Sequence, residues 1–178
     1  MIATERLVLR PWQDGDRGAF VEMMAAPHIV QFLGPAFADD PLAALDRHID
    51  YRASHGLGFW AVERRADGAL IGQCGLKPGG EGTPIEGLLE IGWALGSAGL
   101  GQGYALEAAR ATLGWAWANR REAEVVAITS AINVRSRAVM ERLDMVRDID
   151  GDFDHPVVPD GSPLKRHVTF RIARPAQI

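Results

Sequence analysis

The sequence is poor in the residues that build stapled, metal-bound or membrane-embedded proteins. One cysteine, Cys74, occurs among 178 residues, so no disulfide closes within a chain and no cysteine-ligated zinc site can be assembled. A reducing, cytoplasmic setting is expected. Five histidines are present, but they follow no metal-ligand spacing, and no metal is expected. Two tyrosines, Tyr51 and Tyr104, leave few phenols for proton transfer. No run of about 18 apolar residues exists to span a bilayer. The start, Met1-Ile-Ala-Thr-Glu-Arg-Leu, puts an acid and a base where a secretory signal needs an apolar core, which speaks against secretion. Net charge is −4, without a lysine or arginine cluster, which argues against a nucleic-acid binder, whose affinity comes largely from phosphate neutralisation.

What is present suits one globular domain spanning residues 1–178. Hydrophobic residues make up 47% and charged residues 24% of the chain, and a chain of this length buries roughly 70% of its unfolded surface. No repeat or linker divides it. Thr4 to Pro11 alternates as a first strand. Asp14-Gly-Asp16 offers caps for a short helix carrying Phe20, Val21 and Met24 inward, and Asp40-Pro41 opens a second helix, directly following, that runs to about His55. Phe59 to Glu63 and Ala69 to Leu76, around the turn Ala66-Asp-Gly68, read as a hairpin. Past a glycine-rich loop from Pro78 to Pro84, Ile85 to Leu95 reads as a fourth strand. A helix from Tyr104 to about Asn119, a fifth strand from Glu124 to Thr129, a helix from Val134 to Leu143, a short strand from Met145 to Ile149 and a last strand from Leu164 to Ile172 complete the order. A hairpin combined with strand-helix-strand units implies an α/β fold, a mixed sheet flanked by helices.

Gly96-Ser-Ala-Gly99-Leu-Gly101-Gln-Gly103-Tyr-Ala places glycines between a strand and a helix start, where free N–H groups and the helix dipole favour an anion such as a pyrophosphate. It lacks the spacing of a dinucleotide fingerprint and the Lys-Ser/Thr of a P-loop. A turn without a ligand is the plain structural alternative.

Further motifs accompany this turn in a fixed order: Glu5-Arg-Leu-Val-Leu-Arg-Pro, Glu90-Ile-Gly-Trp, Gly101-Gln-Gly-Tyr-Ala-Leu-Glu-Ala, Asn133-Val-Arg-Ser136 and Val139-Met-Glu-Arg-Leu143. In this the sequence resembles the GNAT superfamily of acyl-CoA-dependent N-acetyltransferases, and within it the ribosomal-protein N-terminal acetyltransferases. The resemblance implies a mostly antiparallel sheet, splayed between strands four and five to admit a pantetheine arm. It implies acetyl-CoA as co-substrate, bound by Leu100, Gly101, Gln102, Gly103, Tyr104 and Ala105 at the pyrophosphate loop, by main-chain groups of Ala94, Leu95 and Gly96, and by Asn133 and Ser136. Leu100 replaces the arginine or glutamine common at the start of that loop, and Ser97 replaces a common proline.

Acetyl transfer to an amine needs a neutral amine, a polarised carbonyl and a proton for the thiolate. Glu90 is the candidate base, directly or through water; a strand-end carboxylate paired with an arginine is its structural alternative. Many relatives carry an acid tyrosine seven residues after the asparagine, where this chain has Met140, so Ser136 becomes the candidate acid. Capping of a helix is the alternative for Asn133 and Ser136. His155 and His167 are candidate substrate-cleft residues able to take the amine's proton. Cys74, Trp93, Trp115 and Trp117 are expected in the core. The acceptor implied is a peptide N-terminus or small-molecule amine, the protein a monomer or homodimer. A non-catalytic acyl-CoA-binding or sensing domain is the rival reading.

Overall fold

The computed structural model of the chain describes residues 1–33 and 40–176. Eight strands form one sheet: β1 (Ile2–Ala3), β2 (Leu7–Arg10), β3 (Gly58–Arg64), β4 (Ala69–Pro78), β5 (Leu89–Leu95), β6 (Glu124–Ser130), β7 (Val146–Asp154) and β8 (Arg166–Ala173), in the spatial order β1-β2-β3-β4-β5-β6-β8-β7. Described helices are α1 (Asp16–Met24), α2 (Pro27–Leu33), α3 (Pro41–His55), α4 (Tyr104–Asn119) and α5 (Val134–Arg142). Every strand pair is antiparallel except β5 with β6. The sheet is therefore mixed and mostly antiparallel, as the motif order implied.

The departures from the sequence-based reading are local. The two early helices do not follow each other directly, because α2 stands between them. In α1 the buried apolar residues are Phe20, Met23 and Met24, with Val21 only half-buried. The fourth strand begins at Leu89 rather than Ile85; Ile85 is buried in a turn whose bonds run from Gly79 N to Leu88 O and from Gly87 N to Gly79 O. The strand expected to stop at Ile149 continues to Asp154, and the last strand begins at Arg166. Ile2–Ala3 adds an eighth strand.

Alternation along the strands divides the core into two layers. Leu89, Ile91, Trp60, Val62, Cys74 and Leu76 face α4 and pack with Leu106, Ala109, Leu113 and Met140. Cys74 is fully buried, its Sγ 3.3 Å from Thr112 Oγ1, and burial pushes the thiol up to about 12. Trp93, Trp115 and Trp117 pack against this layer half-buried. The opposite face of β5 carries Glu90, Gly92 and Ala94 toward α1, α2 and α3, where Phe20, Met23, Met24, Ile29 and Leu45 form the smaller core. Arg10 fixes α1 there. Its guanidinium donates to both oxygens of Asp16 at 2.7 and 2.9 Å, and this pairing holds the Asp16 carboxyl below the ordinary carboxylate range.

Candidate active site

The parallel strands β5 and β6 touch in register only at Glu90 opposite Val126, whereas β4 and β5 pair from Gly72 to Pro78. Beyond Glu90 the two strands diverge. The resulting opening is a cleft of about 800 Å³ bounded by β5, β6, α2, the start of α4 and one face of α5. Loss of ladder partners matters chemically, since each N–H released from a neighbouring strand is a donor available to a ligand. Gly96 is not one of these donors: its N–H already donates to Ile71 O at 2.9 Å, and the residue is outside the cleft lining. In an antiparallel ladder alternate residues bond the same neighbour. Ala94 is therefore in phase with Gly96 and directs its N–H toward β4, and Leu95 directs its own into the opening. Leu95 O also faces a partner there, His28 Nε2 at 2.9 Å, which must carry the proton because a carbonyl only accepts.

At one end of the cleft the turn Ser97–Gly99 leads into α4. Gly101 and Gly103 sit at φ +73° and +77°, the left-handed region that glycine enters without strain. Gly103 is the N-cap of α4 and supplies no side-chain cap. Among the described residues, the N–H groups from Gly101 to Leu106 donate to no main-chain acceptor, leaving a row of donors at a helix start. Leu100, Gly101, Gly103, Tyr104 and Ala105 line the cleft; Gln102 does not. Arg6, unmarked by the sequence reading as a loop residue, buttresses the turn. Its Nη1 donates to Gln102 O at 3.0 Å, its guanidinium lies 4.7 Å from the Tyr104 ring centroid, and its Nε donates to Glu107 Oε2 at 2.7 Å. Burial alone would raise the Glu107 carboxyl, but hydrogen bonds from Thr4 and Arg6 outweigh it and hold it below its usual value. The loop's shape is therefore fixed from beneath, by a side chain 96 residues away.

Asn133 caps α5, its Oδ1 accepting from Ser136 N at 3.2 Å. Both residues line the cleft, so capping and access to a ligand coexist. Met140, at the position many relatives fill with tyrosine, is 2% exposed and also lines the cleft.

Glu90 is 7% exposed and lies at the floor of the opening. Its partner is not an arginine but Lys77, directly across on β4, whose Nζ donates to Glu90 Oε2. Burial pushes the carboxyl above the ordinary range, and Lys77 opposes that shift without reversing it. His167, opposite Ser130 on β6, lines the cleft. His155 does not, standing behind His167 with ring centroids 4.7 Å apart and Phe153 beside both. Burial lowers both histidines below their usual value, and His155 is lowered further by His167, Lys77 and Lys165. Neither therefore carries a proton at neutrality by default. Among the described residues no three His, Cys, Asp or Glu side chains gather as a metal group, and no helix is long and apolar enough to cross a membrane.

One wall of the cleft is aromatic and apolar. The Phe59 ring lies across Gly92, where an added Cβ would fall 2.7 Å from Cζ, and stacks on His48 at 4.5 Å between centroids and 5° between planes. Ile29, Phe32 and Leu33 of α2 face the same space.

Residues 6–146 match the family described as Acetyltransferase (GNAT) domain. Among solved structures, an acetyltransferase from Agrobacterium tumefaciens str. C58 is 29% identical, with 96% of this chain and 92% of that one covered at a TM-score of 0.76. RimL, a ribosomal L7/L12 alpha-N-protein acetyltransferase in complex with coenzyme A, shares the fold at 14% identity and a TM-score of 0.76, over 96% of this chain and 95% of that one. A curated relative, the uncharacterized protein YkkB of Bacillus subtilis (strain 168), is 32% identical over 91 residues, 51% of this chain; the match spans about half of that relative, 52% of its length. The domain match, the splayed β5–β6 pair and the glycine turn at the start of α4 agree, and the chain belongs to the GNAT acetyltransferase family.

Proposed function

We propose that the protein is an N-acetyltransferase, moving an acetyl group from acetyl-CoA to a primary amine, a peptide N-terminal α-amine or a small-molecule amine, by direct transfer in a ternary complex. The observation that carries this reading is the opening of the sheet past Glu90: it sets unpartnered loop N–H groups at one end of a single cleft and a buried carboxylate of raised pKa at its floor. The N–H groups from Gly101 to Ala105 suit a pyrophosphate through backbone geometry, so Leu100 in place of arginine is tolerable there. Leu95 N–H suits the thioester oxygen, whose negative charge grows as the amine attacks. Glu90, directly or through one water, takes the proton of the ammonium and passes it to solvent; the amine nitrogen then bonds the acetyl carbon, its second proton leaves to the regenerated carboxylate, and the carbon–sulfur bond breaks to give the amide. Ser136 supplies the proton that converts the thiolate to the thiol and regains it from solvent. His167, neutral by burial, is the next base in line, with His155 behind it. A cytoplasmic setting and a monomer or homodimer complete the reading.

Met140 favours a second reading, a non-catalytic acyl-CoA-binding or sensing domain, because it removes the tyrosine acid. One experiment separates the two: acetyl-CoA binding by calorimetry beside amine-dependent release of free thiol. Binding with release supports the transferase; binding without release from any amine supports the sensor.

A further inference from the structure

Resting on the transferase reading, one buried group in the cleft has no role in it. Gln73, on β4 between Ala61 of β3 and Ala94 of β5, is 4% exposed and lines the cleft. Among the described residues its Oε1 has no hydrogen-bond partner. A buried carboxamide oxygen left unpaired costs free energy that folding alone does not recover, and such groups in native proteins call for an explanation. The position supplies one. Gln73 shares its face of the sheet with Glu90, and it is the direct cross-strand neighbour of Ala94, adjacent to the Leu95 N–H that faces the opening.

The surroundings narrow what could satisfy it. The acceptor wall is apolar, made by Ile29, Phe32 and Phe59. Among the described residues Glu90 is the one carboxylate lining the cleft, and Lys77 already neutralises it; Arg135 and Arg142 line the same cleft. A polyamine or aminoglycoside would bring several ammonium groups to a space offering no free carboxylate and two guanidinium groups, an electrostatic cost that grows with each charge. A carboxamide instead matches another amide, since it can both accept from N–H and donate to C=O.

We propose that Gln73 is a specificity-determining residue that hydrogen-bonds the amide beside the reacting amine, so that the acceptor is an α-amino amide with an apolar side chain, either a peptide N-terminus or a free aminoacyl amide, and not a polycation. The test compares phenylalaninamide, phenethylamine, the tetrapeptide Phe-Ala-Ala-Ala and spermidine as acceptors, for wild type, Gln73→Leu and the volume-matched Gln73→Met, with the CoA-induced rise in melting temperature confirming an intact fold. Wild type is expected to favour phenylalaninamide over phenethylamine by about 10-fold in kcat/KM, the size of one hydrogen bond left unmade, and both variants to lose that preference through KM while phenethylamine is unaffected. Turnover of the tetrapeptide equal to or above the free amide assigns the source as peptide; the reverse assigns a small molecule. The inference is overturned if spermidine is the better substrate, or if both variants lower phenylalaninamide and phenethylamine alike. Absence of thiol release with every amine removes the transferase reading itself, and the inference with it; a polycation acetylated alone leaves the transferase reading standing and sinks only the assignment of Gln73.

Discussion

The two ends of the cleft are built from different materials. At the start of α4 the site is backbone: left-handed glycines, a capless helix start and a row of N–H groups, held in shape by Arg6 from below. On the other side of β5 it is side chain: Glu90 against Lys77, Phe59 against His48, and Gln73, whose carbonyl is unmatched among the described residues. A backbone site depends on conformation and tolerates exchange of the residues that project from it. A side-chain site depends on identity and charge. Substitutions should therefore act in opposite ways at the two ends, and the following tests are ordered by the size of that contrast.

The largest effect is expected at Gly103. Any residue with a Cβ is strained at φ +77°, and a β-branched one most, although the space itself is open, with Arg6 Nη2 at 3.7 Å the nearest atom. Gly103→Val should weaken CoA binding by at least about 100-fold in calorimetry while the far-ultraviolet spectrum of the folded protein is kept. Retained affinity would mean the turn is not a backbone cradle.

Glu90→Gln keeps shape and removes basicity. A fall in kcat of about 10²-fold at pH 7 is expected, with CoA affinity nearly unchanged and partial rescue as rising pH supplies free amine. A wild-type rate would make Glu90 structural and pass the role to His167.

Lys77→Met tests the same carboxylate through its partner. Lys77 works against the rise caused by burial, so its removal lifts the Glu90 pKa further and moves the acidic limb of the pH–rate profile to higher pH, with a loss of about 10-fold at pH 7. An unmoved limb would separate the limb from Glu90.

His48 addresses stability. Burial, with Lys77 and Arg47, holds it down to about 4, below the unfolded value of 6.5. A depressed histidine contributes stability that is fully present above the unfolded pKa and lost as pH falls toward the folded one. The melting temperature should drop between pH 6.5 and 4, and His48→Gln should flatten that slope by about 3 °C. An identical slope would show that His48 is solvated in the folded protein.

Gln102→Ala is expected to change CoA affinity less than about 3-fold, because only its carbonyl is engaged, by Arg6, and its side chain is outside the cleft lining. Loss comparable to Gly103→Val would collapse the distinction between the two ends.

The same contrast governs what the sequence revealed. The backbone end was legible because glycine spacing and a following apolar period are local signals, and they located the turn and α4 to the residue. The side-chain end was legible only in part. The resemblance marks Glu90, but its partner lies 13 residues earlier across the Pro78–Pro84 loop, and the β4–β5 register brings Lys77 opposite it. Gln73 escaped because a polar residue inside an apolar hairpin carries no mark until its missing partner is seen. The helix at Pro27–Leu33 is two turns long, too short for an apolar period to show, and His28 and Phe32 go unmarked with it. Past Ile149 the acidic run to Asp154 carries no strand signal; β7 tolerates that composition as the last strand of the sheet, with Arg147 and Arg171 pairing Asp152 and Asp148.

Arg6 has a consequence for the order in which the protein assembles. The contacts that shape the glycine turn join the first residues of the chain to Gln102 and Glu107, sequence separations of 96 and 101. Closing so long a loop is entropically slow compared with winding α4, which needs only neighbours. The helix can therefore exist before its start is shaped to hold a phosphate, and competence to bind should arrive as one of the last events of folding. Recovery of ligand affinity after dilution from denaturant would then trail recovery of helicity, making affinity a clock for completed folding.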